Sequence, residues 1–446
     1  MKTYQHQPDP QLDTLPSGIP YIVVNEAAER FSYYGMRAIL VVFMTQYLTD
    51  STGELATMSD QEAQAYFHLF VSAVYFMPLL GALVSDGLLG KYGTIILLST
   101  VYCLGHFALA IDNTRIGLVV GQSLIALGAG GIKPCVSAHV GDQFGPRNRH
   151  LMGQVFSWFY FAINLGAFCA MLTIPWLLDY FGPSMAFGVP GILMLIATLA
   201  FWSGRFQFVH IKPAGIAFIK ETFSRYGMYA LGKLASVYAF IAIFWALFEQ
   251  IGSSWVLQAQ KMDRVILGVE LLPSQIQAAN PLLILLLTPL FTYVIYPYLN
   301  RFFNLTDIRK MALGLFLTVI AFAIASLIQM RLDEGYAPAI FWQLIAYVVL
   351  TSAEVMVSIT CLEFSYRKAP KTMKSFVMAF YFLSVSLGNL LTSAVNFLIQ
   401  NDDGSSKLEG ADYFWFFTIL MSITTALFLW SSSHFQENNY FTNDPS

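Results

Sequence analysis

Charge is what this chain has least of. Only 11 % of its 446 residues are Asp, Glu, Lys or Arg, while 56 % are hydrophobic and the mean hydropathy is +0.58. A soluble domain carries about 25 % charged residues, so a water-soluble enzyme, a disordered chain and a fibrous one are excluded. Cysteine is scarce too. Cys103, Cys135, Cys169 and Cys361 each stand alone in an apolar stretch with no C-x-x-C pair, which excludes a disulfide-stapled secreted domain. Neither H-E-x-x-H nor G-x-S-x-G occurs, so the chain does not read as an enzyme acting within the membrane. A net charge of −3 offers nothing to nucleic acid. The first twenty residues are polar and include Pro8, Pro10, Pro16 and Pro20, so no cleavable signal is expected, and the first membrane helix serves as its own insertion signal.

What is plentiful is apolar and aromatic: 38 Phe, 23 Tyr and 8 Trp. A membrane helix needs about 20 apolar residues. Twelve such stretches are expected, near 21–48, 63–85, 93–111, 115–140, 151–178, 184–204, 230–258, 274–300, 309–330, 337–365, 372–400 and 411–434. None shows the alternation of a membrane β-barrel. The fold class is therefore all-α integral membrane, in two bundles of six: residues 1–204 and 230–446. The connection at 205–229 is the most polar, and its basic, amphipathic character suggests a short helix on the membrane surface. Lysine and arginine crowd the connections on one side, fifteen against five. By the positive-inside rule both termini are cytoplasmic.

Three bases and four acids remain inside the spans: Arg30, Arg37 and Lys133, with Glu26, Glu29, Glu249 and Glu354. Each would cost about 2.5–3.5 kcal/mol at a helix centre, or on the order of 20 kcal/mol for all seven facing lipid. They must face a wet interior, the usual mark of an ion or substrate path. At about 100° per residue, Glu26, Arg30, Tyr33 and Arg37 share one stripe, with Glu29 at its edge. A salt-bridge ladder that only fixes packing would use the same residues. Two acids beside one adjacent base, however, leave one carboxylate poorly compensated, which favours a proton site.

Gly128-Ala129-Gly130-Gly131-Ile132-Lys133-Pro134 in the fourth helix lets a neighbour approach closely. Its lysine needs a carboxylate or an anionic ligand, with Glu26, Glu29 and Glu354 as candidates. Trp245 and Glu249 are four apart on the seventh helix, Asn280-Pro281 opens a broken helix, and Asn164 lies in the fifth. Acids in the second half and bases in the first suit a zwitterionic ligand.

Four blocks carry a family resemblance. Glu26 to Gly35 (E-A-A-E-R-F-S-Y-Y-G) resembles the ExxER signature of the proton-dependent oligopeptide transporters, a branch of the major facilitator superfamily. Gly128 to Ala138, with Gly141-Asp142-Gln143-Phe144, resembles that family's fourth-helix block. Phe156 to Phe168 resembles its fifth-helix signature. Glu354 through Leu362-Glu363-Phe364-Ser365-Tyr366 to Ala369-Pro370 resembles its tenth-helix block.

The resemblance implies a proton-coupled symporter that imports di- and tripeptides by alternating access, with the proton as coupling ion and no cofactor. It implies that Glu26, Glu29, Arg30 and Lys133 couple the proton. Arg37 and Lys133 would take the peptide carboxylate, and Asn164, Asn280 and Glu354 its amino group. Tyr33, Tyr34, Tyr75, Trp245 and Tyr381 would line the peptide site, and Arg37–Glu249 and Lys133–Glu354 would be gate pairs. The chain departs from the family at Gly87, where an arginine is usual, at Phe248, where some members have a second acid, and at Tyr381, where some have Trp. Short loops favour a bacterial inner membrane, and the protein is expected to act as a monomer in the bilayer. The alternatives are another small anion or peptide-like compound as cargo, and a peptide sensor that does not transport.

Overall fold

The computed structural model describes residues 4–213, 215, 225–368, 374–401 and 405–431. Of the connection at 205–229, where a short amphipathic helix is expected, residues 214 and 216–224 lie outside them; 207–213 are not helical and 225–229 already belong to the next membrane helix. Ala369 and Pro370 of the tenth-helix block lie outside as well. Ten helical stretches among the described residues are long and apolar enough to cross a membrane. Large side chains turned outward fit that reading: Phe107 is 62 % exposed, Ile116 73 % and Trp430 76 %. In water such faces would associate or aggregate.

Contacts group the chain into two compact units: residues 1–58 with 73–224, and 59–72 with 225–446. The sequence division keeps the whole second span in the first bundle, whereas by contacts its opening turns pack with the second.

The first unit holds α1 (Ile19–Gln46), the second half of α2 (Asp60–Val84), α3 (Gly90–Ile111), α4 (Arg115–Asp142), α5 (Met152–Phe181) and α6 (Pro183–Ser203). Helix α1 packs on α5 and α6, and α3 on α4 and α6. Helices α2 and α3 fall in one apolar stretch of 52 residues. At 1.5 Å per residue a single helix that long would run about 78 Å, more than twice the hydrocarbon core. The chain turns instead through a π-helical segment, Ser85–Leu89, and Gly90, whose φ of +71° a side chain would strain. Beyond the turn, Lys91 Nζ pairs with Asp142 Oδ2 at 2.6 Å, tying α3 to the end of α4. A Cβ at Gly87 would meet nothing within 4 Å, so the missing arginine is not excluded by space.

Glycine sets the approach of α2 to α4. A Cβ at Gly81 would run into the Gly131 carbonyl, and one at Gly130 into the Val74 carbonyl. Residues 4–18 form a strap on this unit. Gln5 pairs with Val209, His6 Nδ1 donates to the His210 carbonyl at 2.9 Å, and Asn148 Nδ2 donates to the Thr14 carbonyl at 3.0 Å. Tyr4 and Tyr92 rings close over His210 at 4.4 and 4.6 Å.

The second unit holds α7 (Arg225–Phe248), α8 (Ala279–Leu290), α9 (Asp307–Asp333), α10 (Phe341–Glu354), α11 (Lys374–Ile399) and α12 (Ala411–Ser431). Helix α7 packs on α11 and α12, α9 on α10 and α12, and α8 on α10. Three of these helices are interrupted. Helix α7 passes into a 3-10 turn, Glu249–Gly252, breaks at Ser253 (φ −131°, ψ −93°), and resumes as Ser254–Gln260. Helix α8 ends in a π segment at Phe291–Ile295, two residues after Pro289, and α10 in another at Val355–Ile359. Val265–Ile266 and Val269–Glu270 form a small hairpin, the only paired strands beyond isolated bridges among the described residues. Its turn is Leu267-Gly268, both at positive φ as a tight hairpin requires.

Candidate functional site

The charged stripe of α1 is inside the first unit. Glu26 and Glu29 are 2 % and 1 % exposed and Arg37 5 %. Within the stripe the compensation is uneven. Arg30 Nε donates to Glu26 Oε1 at 2.8 Å and its Nη2 lies 2.7 Å from the same oxygen. Glu29 Oε2 is 3.2 Å from Arg30 Nε, yet neither Glu29 oxygen accepts a hydrogen bond among the described residues. One guanidinium thus serves two acids and satisfies one.

Lys133, on α4, lies between two phenol rings, with Nζ 4.3 Å from the Tyr33 centroid and 4.2 Å from that of Tyr75. Such stacking stabilises an ammonium by about 0.5–2 kcal/mol without consuming its charge. Tyr33 also packs edge-on against Tyr34 at 5.2 Å. Asn164 on α5 donates its amide to the Tyr160 carbonyl at 2.9 Å, one turn back, which leaves the amide oxygen to accept. The first unit therefore brings together Lys133, Tyr33, Tyr34 and Tyr75, with the Glu26–Arg30–Glu29 cluster on the same helix as Tyr33.

In the second unit, Asn280 Nδ2 donates to Glu354 Oε2 at 2.8 Å and to Thr351 Oγ1 at 3.2 Å. The α8–α10 contact thus carries an acid held in place by an amide. Glu354 is the last residue before the π segment of α10, so its carbonyl side begins where the helix is wound wider. Within that segment Ser358 Oγ and Tyr381 OH are 3.2 Å apart, placing Tyr381 of α11 one turn from Glu354. Trp245 is 6 % exposed, with its ring edge-on to Phe244 and Phe248 at 5.1 and 5.4 Å. Glu249 is 2 % exposed and lies in the 3-10 turn, where the sequence suggests continuous helix.

A model of the POT family matches residues 92–233 and 225–416. The chain belongs to the POT family. It is 38 % identical to Peptide transporter family 1 of Drosophila melanogaster over 367 residues, which are 72 % of this chain and 48 % of that one. It is 36 % identical to Solute carrier family 15 member 2 of Homo sapiens over 385 residues, 75 % of this chain and 52 % of that one. The chain spans about half the length of these relatives. Among solved structures, an auto-inhibited POT family peptide transporter superposes with a TM-score of 0.84 at 33 % identity, covering 96 % of this chain and 98 % of that one. The POT family transporter PepTSo superposes with a TM-score of 0.82 at 35 % identity, covering 95 % and 99 %.

One polar centre of this POT protein escapes the sequence reading. His68, fully buried on α2, sits 2.7 Å from Asn389 Oδ1 through Nδ1 and 2.8 Å from Ser253 Oγ through Nε2. The Asn389 amide is spent on the Val385 carbonyl, so its oxygen accepts and His68 Nδ1 donates. Ser253, a hydroxyl, can then give or take the second hydrogen bond at Nε2. A tally of embedded Lys, Arg, Asp and Glu passes over histidine, and Ser253 is recruited by a helix break with no local signature. Counting histidines inside spans would have found it.

Proposed function

We propose that the protein is a proton-coupled symporter that imports di- and tripeptides by alternating access, and not an enzyme. The relatives' names support the peptide cargo, and one observation carries the proton: two buried carboxylates share one guanidinium, which satisfies Glu26 and leaves Glu29 without a hydrogen bond among the described residues. Protonation of Glu29 would come at modest cost, since no hydrogen bond to its carboxylate is lost among the described residues. In this reading Lys133 and Arg37 in the first unit receive the peptide carboxylate, with Tyr33, Tyr34 and Tyr75 about it. Asn280 and Glu354 in the second unit receive the amino group. The Asn164 oxygen is a further acceptor for it, and Trp245 and Tyr381 contact side chains.

The protein in this proposal has twelve spans, two six-helix bundles and both termini in the cytoplasm. Support comes from the 52-residue stretch, which turns at Gly90 into two spans, and from α1, a 28-residue helix whose embedded charges hide it from an apolarity criterion. The basic side of the connections sets the orientation. A bacterial inner membrane and a functional monomer complete the reading.

Purified protein in sealed vesicles tests it. An imposed inward proton gradient should drive accumulation of a labelled dipeptide, and a protonophore should collapse it. Accumulation that follows sodium, or binding without any flux, would overturn the proposal, the latter in favour of a sensor.

A further inference from the structure

Helices α9 and α12 of the second unit run antiparallel, as three registers show. Asp333 Oδ2 accepts from the Ala411 backbone N–H at one end, Ser326 and Thr418 hydroxyls meet at 3.2 Å in the middle, and Arg309 to Phe316 lie beside Thr425 and Leu429 at the other. At this last end the two helices part to leave a groove of about 260 Å³, walled by Phe303, Ala312, Leu313, Phe316, Thr425, Leu429 and the stem of Arg309. Its walls are apolar, and the groove opens outward: Phe316 and Leu429 are 53 % and 55 % exposed. Trp430, next along α12, is 76 % exposed, as aromatic side chains at a membrane–water boundary are. Arg309 is the third residue of α9, so its head sits where that span leaves the hydrocarbon.

The charges at this rim are not equivalent. Lys310 lies 4.0 Å from Asp307 and 4.7 Å from the Tyr296 ring centroid. The Arg309 guanidinium donates to the Asn304 carbonyl, and no carboxylate pairs with it among the described residues. A neutral carbonyl uses one of five N–H donors and none of the charge. The site therefore combines an apolar channel with a guanidinium that no carboxylate among the described residues compensates, at its mouth and at interface depth. A free anion would use only the second feature, a neutral lipid or detergent only the first, and a partner helix is too wide for the channel.

We propose that this groove binds an anionic phospholipid, with one acyl chain along the channel and the headgroup phosphate on Arg309, bridging α9 and α12. The lipid steadies the end of the second unit where these two helices part.

The proposal is tested on the full chain, delipidated in a neutral detergent and titrated with phosphatidylglycerol. Lipid retention is read by native mass spectrometry and stability by thermal melting. Wild type should retain phosphatidylglycerol in preference to phosphatidylcholine and melt higher with it. Arg309→Gln should weaken retention about tenfold or more, the worth of one charge-assisted hydrogen bond, and Arg309→Lys should restore much of it. Leu429→Trp, which fills the channel and keeps the charge, should also weaken retention. Arg331→Gln, at the far end of α9, should not. Equal retention of the two lipids by wild type, or retention unchanged in both Arg309→Gln and Leu429→Trp, would overturn the proposal. So would a melting shift reproduced by inorganic phosphate alone.

Discussion

At the scale of single residues, the two acids of α1 separate by what holds them. Glu26 takes both Arg30 donors, so Glu26→Gln breaks a buried pair and should cost about 3–5 kcal/mol of stability. Glu29 accepts no hydrogen bond among the described residues, so Glu29→Gln should melt near wild type, lose gradient-driven uptake and still exchange peptide across the membrane. A Glu29→Gln protein that accumulates peptide normally would remove the proton from this site. Glu354 makes a second test, because Asn280 already orients its carboxylate. Glu354→Gln should weaken binding of a free dipeptide by about 2–5 kcal/mol, roughly 30-fold or more, and leave the N-acetylated dipeptide nearly unchanged. Equal loss of both ligands would show that Glu354 does not read the amino terminus. The residues in these tests were legible in the sequence because charge inside a span is expensive enough to be conspicuous. Which carboxylate Arg30 satisfies was not, because the two acids lie on either side of one guanidinium and rotamers decide the outcome. His68 was illegible for a different reason: neutral histidine is cheap in a helix and its partners come from α11 and a break in α7.

At the scale of elements, hydropathy marked the helices and failed at their interruptions. A π segment or the break at Ser253 changes hydrogen-bond spacing without changing composition, so the segments 249–253 and 355–359 read as ordinary helix, whereas the prolines of α8 mark that helix as broken, near the π segment at 291–295. Small residues were the better guide, since the glycine run of α4 meets α2 backbone as its composition suggests. Gly130→Val should therefore cost about 1–3 kcal/mol by overpacking against Val74 and Met77. Gly141→Ala in the same helix, where a Cβ meets nothing within 4 Å, should not destabilise. Equal melting of the two variants would show that α2 and α4 do not depend on this approach. The strap of residues 4–18 carries a pH dependence. Burial holds His210 below its ordinary value, with the neighbouring His6 adding to the effect and the Arg205 carbonyl opposing it. His139 of α4, Tyr4 and Tyr92 face the same ring region. A histidine depressed on folding binds its proton more readily when released. Its contribution to docking is therefore present above the ordinary histidine range and lost as pH falls through it. Amide exchange in residues 4–18 should rise between pH 7.5 and pH 5.5 in wild type, and less in His210→Phe. Exchange that is flat with pH would leave the strap held by backbone pairing alone.

For the whole molecule, the first unit places Lys133 among phenol rings beside the α1 acids, and the second holds Glu354 by the Asn280 amide. Transport by such a protein requires that peptide and proton cross together. In vesicles with no proton gradient but a membrane potential, inside negative, a neutral dipeptide should still accumulate, because the co-transported proton carries net charge. A potential without effect on uptake would show that no net charge crosses. The segment Val355–Ile359 has a further consequence, which concerns lineage. A π turn holds one residue more than the α turn it replaces. Deleting one residue there would restore an α turn and leave the flanking faces of α10 in register. A single-residue gap in the middle of an apolar span is ordinarily a sign of a misaligned pair of sequences. Immediately after Glu354 it is a length change this helix can absorb, and descendants of a common ancestor could differ there by one residue while keeping the acid in place.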